Sequence, residues 1–178
     1  HETSAMSQKA PLPILWSFRR CPYAMRARLA IAAAGITVEL REILLRDKPA
    51  AFLAVSDKAT VPVLQCTDDR VIDESRDIML WALDQYDPEG WRAPLDADSG
   101  HVDAFFDRLD GPFKTHLDRY KYASRFDPDA ALTHRTTGAA TLADFDQLLA
   151  SQTALSGAHL ALLDFASLPF VRQFRIAD

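Results

Sequence analysis

Residues 14–24 read Ile-Leu-Trp-Ser-Phe-Arg-Arg-Cys-Pro-Tyr-Ala, and this stretch decides how the rest of the sequence is interpreted. The apolar run at 14–18 is long enough for a buried strand. Cys21 and Pro22 follow it, and proline suits the first turn of a helix because its missing N–H would be unpaired there. Apolar residues then recur at helical spacing until Gly35, which predicts a helix that ends at a left-handed glycine. The stretch therefore predicts a strand that leads directly into a helix.

The alternation of strand and helix continues through the first half of the chain. The predicted elements are a strand at 37–43, a short helix at 49–55, strands at 61–64 and 70–73, and a helix capped by Ser75. The first strand, helix and strand have short connections, which favours a parallel βαβ unit. We therefore predict a βαβαββα domain at residues 6–87.

The second half of the chain contains only helical patterns. Residues 88–98 contain two prolines and are interpreted as a linker. Residues 99–178 form the predicted helical bundle, with a kink at Gly111-Pro112. The predicted fold class is therefore α/β followed by all-α. Residues 1–5 precede Met6 and are interpreted as a cloning remnant.

The composition excludes several classes of protein. The 178 residues carry 20 Lys and Arg against 25 Asp and Glu, a net charge of -5, which argues against a protein that coats nucleic acid. No apolar run approaches the length needed to cross a membrane, and no secretory signal pattern is present. Two cysteines cannot form a disulfide framework and suit a reducing cytoplasm, where we expect the protein to be located.

The sequence predicts neither a metal site nor a nucleotide site. Its five histidines lack the spacing of metal ligands. No glycine-rich phosphate loop is present, so we expect no nucleotide cofactor.

The chemistry of the sequence is concentrated at Cys21. A cysteine at the end of a strand and the start of a helix lies where free backbone N–H groups stabilise a thiolate. Positive charge is added nearby by four arginines, Arg19, Arg20, Arg26 and Arg28. Because the thiolate is the nucleophilic form of cysteine, we predict a reactive thiol, with a buried structural cysteine as the alternative. Cys66, the other thiol, is interpreted as a core or surface residue too distant to pair with Cys21.

Four motifs, in this order along the chain, resemble those of a known family. Residues 21–24, Cys-Pro-Tyr-Ala, resemble the glutaredoxin site, with Ala24 in place of its second cysteine. Residues 61–64 are similar to the cis-proline strand of thioredoxin folds, and residues 73–75 to the acid-serine pair that receives the γ-glutamyl end of glutathione. Residues 155–164 resemble a loop and helix start of the second domain. The chain is thereby identified as a member of the cytosolic glutathione S-transferases, near their cysteine-type, omega-like and glutaredoxin-like branch of bacterial style.

The resemblance implies both a fold and a ligand site. The implied fold is an N-terminal thioredoxin-like domain followed by a helical bundle, and glutathione is the implied co-substrate. Cys21 would lie at the glutathione sulfur. The other glutathione contacts would come from Tyr23, Lys48, Val61, Pro62, Glu74 and Ser75.

Each implied contact suits a different part of glutathione. Glu74 would hold the γ-glutamyl amine, which needs an anion, and Ser75 would hold the carboxylate, which suits a hydroxyl at a helix start. Val61, before a cis Pro62, would pair its backbone with the cysteinyl part, and Lys48 would meet the glycyl carboxylate. The alternatives are Ser75 as a plain helix cap, Glu74 as a solvated acid and Lys48 as a surface lysine.

The resemblance also implies an acceptor pocket between the two domains, against the first long helix of the second. The candidate residues are Phe113, Arg119, Tyr120 and Tyr122. Phe113 and Tyr120 belong to an aromatic stripe at helical spacing, which is also typical of a core.

The predicted activity is glutathione-dependent thiol transfer, in which Cys21 acts on glutathione mixed disulfides. The partners are glutathione and a small thiol, disulfide or electrophile, and neither nucleic acid nor a membrane is expected. The alternatives are conjugation of glutathione to an electrophile and a non-catalytic module that binds glutathione or another ligand. The family also implies a homodimer, for which Met79, Phe105 and Phe106 are either interface or core residues.

Two departures from the family pattern concern the C-terminal part. Ala161 stands three residues before Asp164, where the family carries a Ser or Thr that caps the helix. The chain ends at Asp178, where the family continues with further helices. We therefore expect residues 160–174 to expose apolar surface, either because the chain is incomplete or because a partner covers it.

Overall fold

A computed structural model describes residues 10–177 of the chain. The interpretation of residues 1–5 as a cloning remnant lies outside the described residues. The N-terminal half follows the predicted order of strands and helices. Its elements are β1 (Ile14–Ser17), α1 (Pro22–Ala33), β2 (Glu39–Glu42), α2 (Ala50–Val55), β3 (Val63–Gln65), β4 (Val71–Ile72) and α3 (Ser75–Gln85). The predicted βαβαββα order is therefore confirmed.

The four strands form one mixed sheet in the order β2-β1-β3-β4. Strand β1 is parallel to β2, with Leu15 opposite Leu40, and antiparallel to β3, with Trp16 opposite Val63. Strands β3 and β4 form an antiparallel pair. The end of β1 therefore lies beside the start of β3, which brings the first turn of α1 close to the residues that precede β3.

The described residues of the C-terminal half form only helices, turns and connecting loops, with a single isolated bridge. The helices are α4 (Ala93–Ala97), α5 (Ser99–Arg108), α6 (Lys114–Lys121), α7 (Ala131–Leu149) and α8 (Leu162–Ala177). A π-helical turn (Leu109–Phe113) connects α5 to α6 and contains Pro112, so the predicted kink lies within it. Among residues 10–177, no helix has the length and apolar character needed to span a membrane.

Helix α1 lies between α3 and α8, and the larger core cluster surrounds it. Three alanines on α1 are fully buried and allow the neighbouring helices to approach closely, namely Ala24, Ala27 and Ala30. Leu15 on β1 belongs to this cluster. The next residue, Trp16, belongs to a second cluster with Phe52 of α2, because side chains alternate between the two faces of a sheet.

Three details of the predicted elements are wrong. Ser75 is the first residue of α3 and not its cap, because the N-cap residue is Glu74. Strand β2 spans Glu39–Glu42, so it begins two residues later and ends one residue earlier than the predicted strand at 37–43. Strand β3 begins at Val63, two residues later than predicted, since Pro62 has no N–H to offer the ladder.

The predicted linker at residues 88–98 contains a residue of the core. Trp91 is 3% exposed, and its ring stacks on Phe165 with the ring centroids 3.9 Å apart. The Trp91 carbonyl accepts a hydrogen bond from the N–H of Leu162 at 3.1 Å. Both carboxylate oxygens of Asp87 accept backbone hydrogen bonds, from Trp91 and Arg92, at 2.9 Å each. This segment therefore attaches the end of α3 to the start of α8. The boundaries of the two domains stay a prediction.

Most of the apolar residues at 160–174 are buried. Leu162, Leu163, Phe170 and Phe174 lie in the core, whereas Leu160 and Leu168 are about half exposed and line an apolar cavity of about 430 Å³. The expected exposed apolar surface is therefore limited to a few side chains of the segment.

The start of α8 is capped despite the absence of a hydroxyl at position 161. Asp164 Oδ2 accepts a hydrogen bond from the N–H of Ala161, and Oδ1 accepts one from the N–H of Leu155, each at 2.9 Å. The aspartate half of the capping pair therefore forms without its side-chain partner.

Two of the three candidate interface residues are core residues. Met79 and Phe106 are buried within the chain, because α3 and α5 turn them inward. Of the two alternatives, they are therefore core residues and not interface residues. Phe105 is half-buried, and its ring stacks on Phe145 with the centroids 5.3 Å apart. A homodimer stays a prediction.

We predict that Trp91→Ala lowers the free energy of unfolding by about 3–5 kcal/mol, because it removes a buried aromatic ring and leaves a cavity. Tyr86→Ala is the matched control, since Tyr86 is exposed and its loss should change the stability by less than about 0.5 kcal/mol. Chemical denaturation of both variants measures the difference. Equal stability of the two variants would show that the 88–98 segment is not part of the core.

Candidate functional site

A cavity of about 460 Å³ lies where the start of α1, the loop before β3 and the start of α3 meet. All seven residues predicted for the glutathione site line it: Cys21, Tyr23, Lys48, Val61, Pro62, Glu74 and Ser75. They come from positions far apart in the sequence. The fold therefore brings these seven side chains to one place.

Cys21 is the N-cap residue of α1 and is half-buried. Its N–H donates to the carbonyl of Phe18 at 3.1 Å, and its own carbonyl accepts from the N–H of Met25 at 2.9 Å, so the backbone is fixed on both sides. The Cys21 Sγ lies 3.9 Å from the carbonyl oxygen of Val61. The thiol therefore stands at the positive end of α1, in reach of a molecule bound in the cavity.

The four arginines near Cys21 have different surroundings. Arg26 is buried and faces Ser75 and Asp110, away from the solvent. Arg28 donates to the carbonyl oxygens of Phe18 (3.3 Å) and Arg19 (3.0 Å), which holds the loop before Cys21 in place. Arg19 and Arg20 are exposed.

The opposite wall of the cavity is the loop before β3. The peptide bond between Val61 and Pro62 is cis, as the resemblance implies. Ala59 in the same loop has a positive φ of 53°. Lys58 in the same loop also lines the cavity.

Glu74 and Lys58 form an ion pair at the rim of the cavity. The Lys58 Nζ contacts Glu74 Oε1 and lies 3.8 Å from Asp73 Oδ1. The hydrogen bond to Glu74 raises the pKa of Lys58, with further contributions from the charges of Glu74, Asp73 and Asp77. The side chain of Glu74 is 61% exposed, so water screens the attraction between the two charges. Glu74 is therefore an anion that already has a cationic partner.

Ser75 lies at the floor of the cavity and is 3% exposed. Its Oγ accepts a hydrogen bond from the Nε of Arg26 at 2.9 Å. The guanidinium of Arg26 also donates to both carboxylate oxygens of Asp110, at 2.7 and 2.6 Å. Asp110 belongs to the π-helical turn and lines the same cavity, so the helical half of the chain contributes to the site.

Tyr23 follows the Cys-Pro pair and packs its ring edge against Phe170, with the centroids 5.0 Å apart. The guanidinium of Arg26 and the ammonium of Lys114 lie 5.1 and 5.8 Å from its ring centroid. Burial raises the pKa of Tyr23 far above its ordinary value, and the charge of Asp110 adds to this. The phenol therefore stays protonated at neutral pH.

The four candidate acceptor residues do not line this cavity. Phe113 is fully buried in the core and stacks on Phe174 with the centroids 6.0 Å apart, so its placement in an acceptor pocket is corrected. Tyr120 packs against Phe174 as well, at 5.9 Å. Arg119 lies over the ring of Phe126, and Tyr122 lies at the end of α6 beside Lys121 and Arg125.

Within the described part of the chain, no three His, Cys, Asp or Glu side chains come together as a metal-binding group. His116 and His134 join α6 to α7, with 2.9 Å between their Nδ1 atoms.

Sequence comparison shows which known proteins the cavity-bearing part of the chain is similar to. Residues 15–90 match the profile of the family described as "Glutathione S-transferase, N-terminal domain". The similarity in sequence to that family therefore lies in the N-terminal half of the chain. A probable glutathione transferase from Aplysia californica is 48% identical over 46 residues, which are 26% of this chain and 50% of that protein. Glutathione S-transferase omega-1 from Rattus norvegicus is 37% identical over 75 residues, which are 42% of this chain and 31% of that protein.

The matched stretches therefore span half the length of these curated relatives or less. Solved structures of glutathione transferases extend the similarity of fold over most of the chain. Glutathione transferase Omega 3C from Trametes versicolor gives a TM-score of 0.77 at 22% identity, covering 95% of this chain and 76% of that chain. Rice GST1 in complex with glutathione gives a TM-score of 0.75 at 21% identity, covering 92% of this chain and 76% of that chain. The chain has the glutathione S-transferase fold.

Two charged residues that line the cavity, Lys58 and Asp110, were not predicted from the sequence. Lys58 stands in a polar loop where nothing in the pattern distinguishes it from a surface lysine. Asp110 precedes Gly111-Pro112, a pair that predicts only a kink. Its proximity to Arg26, 84 residues earlier in the chain, is visible only in the structure.

We predict that iodoacetamide alkylates Cys21 to completion while most of Cys66 stays unmodified. Cys66 is buried, and burial raises the pKa of its thiol, so less of it is thiolate at a given pH. Peptide mass spectrometry of a time course follows both sites. The variants Cys21→Ser and Cys66→Ser assign each rate, and equal rates at both thiols would contradict the prediction.

Proposed function

We propose that this protein is a member of the glutathione S-transferase family and a glutathione-dependent thiol transferase with Cys21 as its nucleophile. The observation that carries the proposal is the place of Cys21. Its thiol lies at the start of α1, half-buried, and faces the carbonyl of Val61 in a cavity of about 460 Å³. The match to an omega-1 relative over 75 residues supports the cysteine-type assignment.

Glutathione is proposed to lie along the cavity with its γ-glutamyl end at α3. Glu74 takes the ammonium, and Ser75 with the first N–H groups of α3 takes the carboxylate, because the N-terminus of a helix favours an anion. The backbone of Val61 pairs with the cysteinyl part. Lys48 lines the cavity near Leu45 and takes the glycyl carboxylate. This orientation places the glutathione sulfur at Cys21.

The proposed reaction has two exchange steps. The Cys21 thiolate attacks the glutathione sulfur of a mixed disulfide, so a Cys21–glutathione disulfide forms, the original S–S bond breaks and the acceptor leaves as a thiolate that takes up a proton. A second glutathione thiolate then attacks the same glutathionyl sulfur. Glutathione disulfide leaves, and the Cys21 thiolate is regenerated. One mixed disulfide and one free glutathione are thereby converted into one free thiol and one glutathione disulfide, with no other oxidant or reductant.

Conjugation requires a group that activates bound glutathione by donating a hydrogen bond to its thiolate, and the thiol of Cys21 is poorly suited to this because S–H is a weak donor. Two assays in parallel separate the functions. One follows reduction of the mixed disulfide of glutathione and mercaptoethanol with a glutathione reductase couple, and the other follows conjugation of 1-chloro-2,4-dinitrobenzene. Turnover of the second substrate alone would overturn the proposal, and glutathione binding without either activity would indicate a binding module.

We predict that Cys21→Ser abolishes thiol transfer but keeps glutathione affinity within about tenfold, about 1.4 kcal/mol, because the other contacts stay in place. Cys66→Ser is the matched control and should retain activity, since Cys66 does not line the cavity. Steady-state assays with calorimetric titration measure both properties. Thiol transfer that survives in Cys21→Ser would exclude Cys21 as the nucleophile.

We predict that Glu74→Ala and Ser75→Ala each weaken glutathione binding by about 1–3 kcal/mol, the scale of a charge-assisted hydrogen bond. Asp77→Ala is the matched control, because Asp77 is an exposed acid in the same first turn of α3. Calorimetric titration decides the outcome, with thermal melts alongside because Ser75 also satisfies Arg26. Unchanged affinity in both variants would place the γ-glutamyl site elsewhere.

A further inference from the structure

Arg26 is a charged side chain that lies behind the wall of the cavity and is 1% exposed. Its Nε donates to Ser75 Oγ at 2.9 Å, and its Nη1 and Nη2 donate to the two oxygens of Asp110 at 2.7 and 2.6 Å. Three aromatic rings enclose the guanidinium, each with its centroid 5.1 Å from the central carbon, namely those of Tyr23, Phe106 and Phe170. The guanidinium therefore has one fixed orientation.

The direction of the Ser75 hydroxyl follows from hydrogen-bond chemistry. A guanidinium has donors and no acceptor, so in this contact Ser75 Oγ accepts the hydrogen bond. A hydroxyl has a single hydrogen, and that hydrogen points away from Arg26. Ser75 is the first residue of α3, so no helical carbonyl of a preceding turn stands behind it to receive the hydrogen. The cavity that Ser75 lines is the remaining direction.

We propose that Arg26 is a positioning residue that makes Ser75 a hydrogen-bond donor toward a ligand carboxylate. By occupying a lone pair of Oγ, Arg26 presents the O–H of Ser75 to an acceptor and disfavours a ligand ammonium at the same place. The inference rests on the proposed function, because the carboxylate in question is that of the γ-glutamyl end of glutathione.

Asp110 gives Arg26 a second role in the same recognition. Both oxygens of Asp110 are held by the fork of the guanidinium, which neutralises an anion that lines the cavity. Without Arg26, Asp110 would face the carboxylate of the ligand as an uncompensated like charge. The ammonium of the ligand is left to Glu74, whose ion pair with Lys58 is exposed and therefore screened by water.

The test compares two ligands that differ only at this carboxylate. One is glutathione, and the other is γ-aminobutyryl-cysteinyl-glycine, which lacks the α-carboxylate. Arg26→Lys keeps a positive charge but loses both the Nε donor to Ser75 and the paired contact to Asp110. We expect it to weaken glutathione binding about tenfold or more, and to change binding of the carboxylate-free peptide by less than about twofold. Chemical-shift titration measures both affinities, including those in the millimolar range.

Two controls make the result specific. Arg108→Lys alters a surface arginine that pairs with Asp144 at 2.6 Å and should leave both affinities unchanged. In a Ser75→Ala background, Arg26→Lys should cause much less than its full effect on glutathione, because the hydroxyl that it orients is gone. A loss that is equal for the two ligands overturns the inference, since a merely structural residue would weaken both. Absence of glutathione binding by the unmodified chain overturns the proposed function together with this inference.

A second variant covers the case in which Arg26→Lys does not fold. Arg26→Met combined with Asp110→Asn removes both charges with little change in side-chain volume, a change that buried ion pairs often tolerate. We expect this double variant to lose the preference for glutathione over the carboxylate-free peptide. A double variant that folds, by its thermal melt, and retains the full preference overturns the inference.

Discussion

The packing of α1 between α3 and α8 is the constraint on which the rest of the structure depends. Alanines on its buried faces let the two flanking helices come close, and this excludes solvent from those faces of the helix. Arg26 is the one long charged side chain on those buried faces in the described structure. Its charge must be balanced inside the protein, and the partner that balances it, Asp110, comes from the helical half. The packing of one helix thereby joins the two halves of the chain at the floor of the cavity.

The same arrangement assembles the site from helix starts. Helix α1 begins directly after the central strand, so Cys21 lies at its positive end, and α3 begins beside it with Ser75. Acidic and basic side chains alternate around these two helix starts, with Glu74 and Lys58 paired at the rim. A ligand that carries an amine and carboxylates can pair its amine with an acidic side chain and its carboxylates with the helix starts or a basic side chain. This is the physical basis for proposing a small zwitterionic peptide in preference to an apolar molecule.

The features that sequence could predict are those with a local cause. A proline after a cysteine starts a helix, a proline after valine interrupts a strand, and an acid-serine pair opens the next helix. These local patterns, and the family resemblance that they carry, located seven of the residues that line the cavity. The aromatic stripe of the second half predicted a buried helix face, but not which neighbour covers it. Phe113 therefore turned out to be core. The contact between Arg26 and Asp110 depends on packing between distant segments, and no local pattern indicates it.

The distribution of the two thiols bears on the proposed mechanism. Ala24 stands at the position that the second cysteine occupies in the glutaredoxin motif, and it is fully buried. Cys66 is also buried in the core cluster and does not line the cavity of Cys21. A disulfide between Cys21 and a glutathionyl group therefore has no thiol of the same chain within its cavity to attack it. The attack must come from a thiol in solution, and this is why the site needs room for a second glutathione to approach the sulfur of the first.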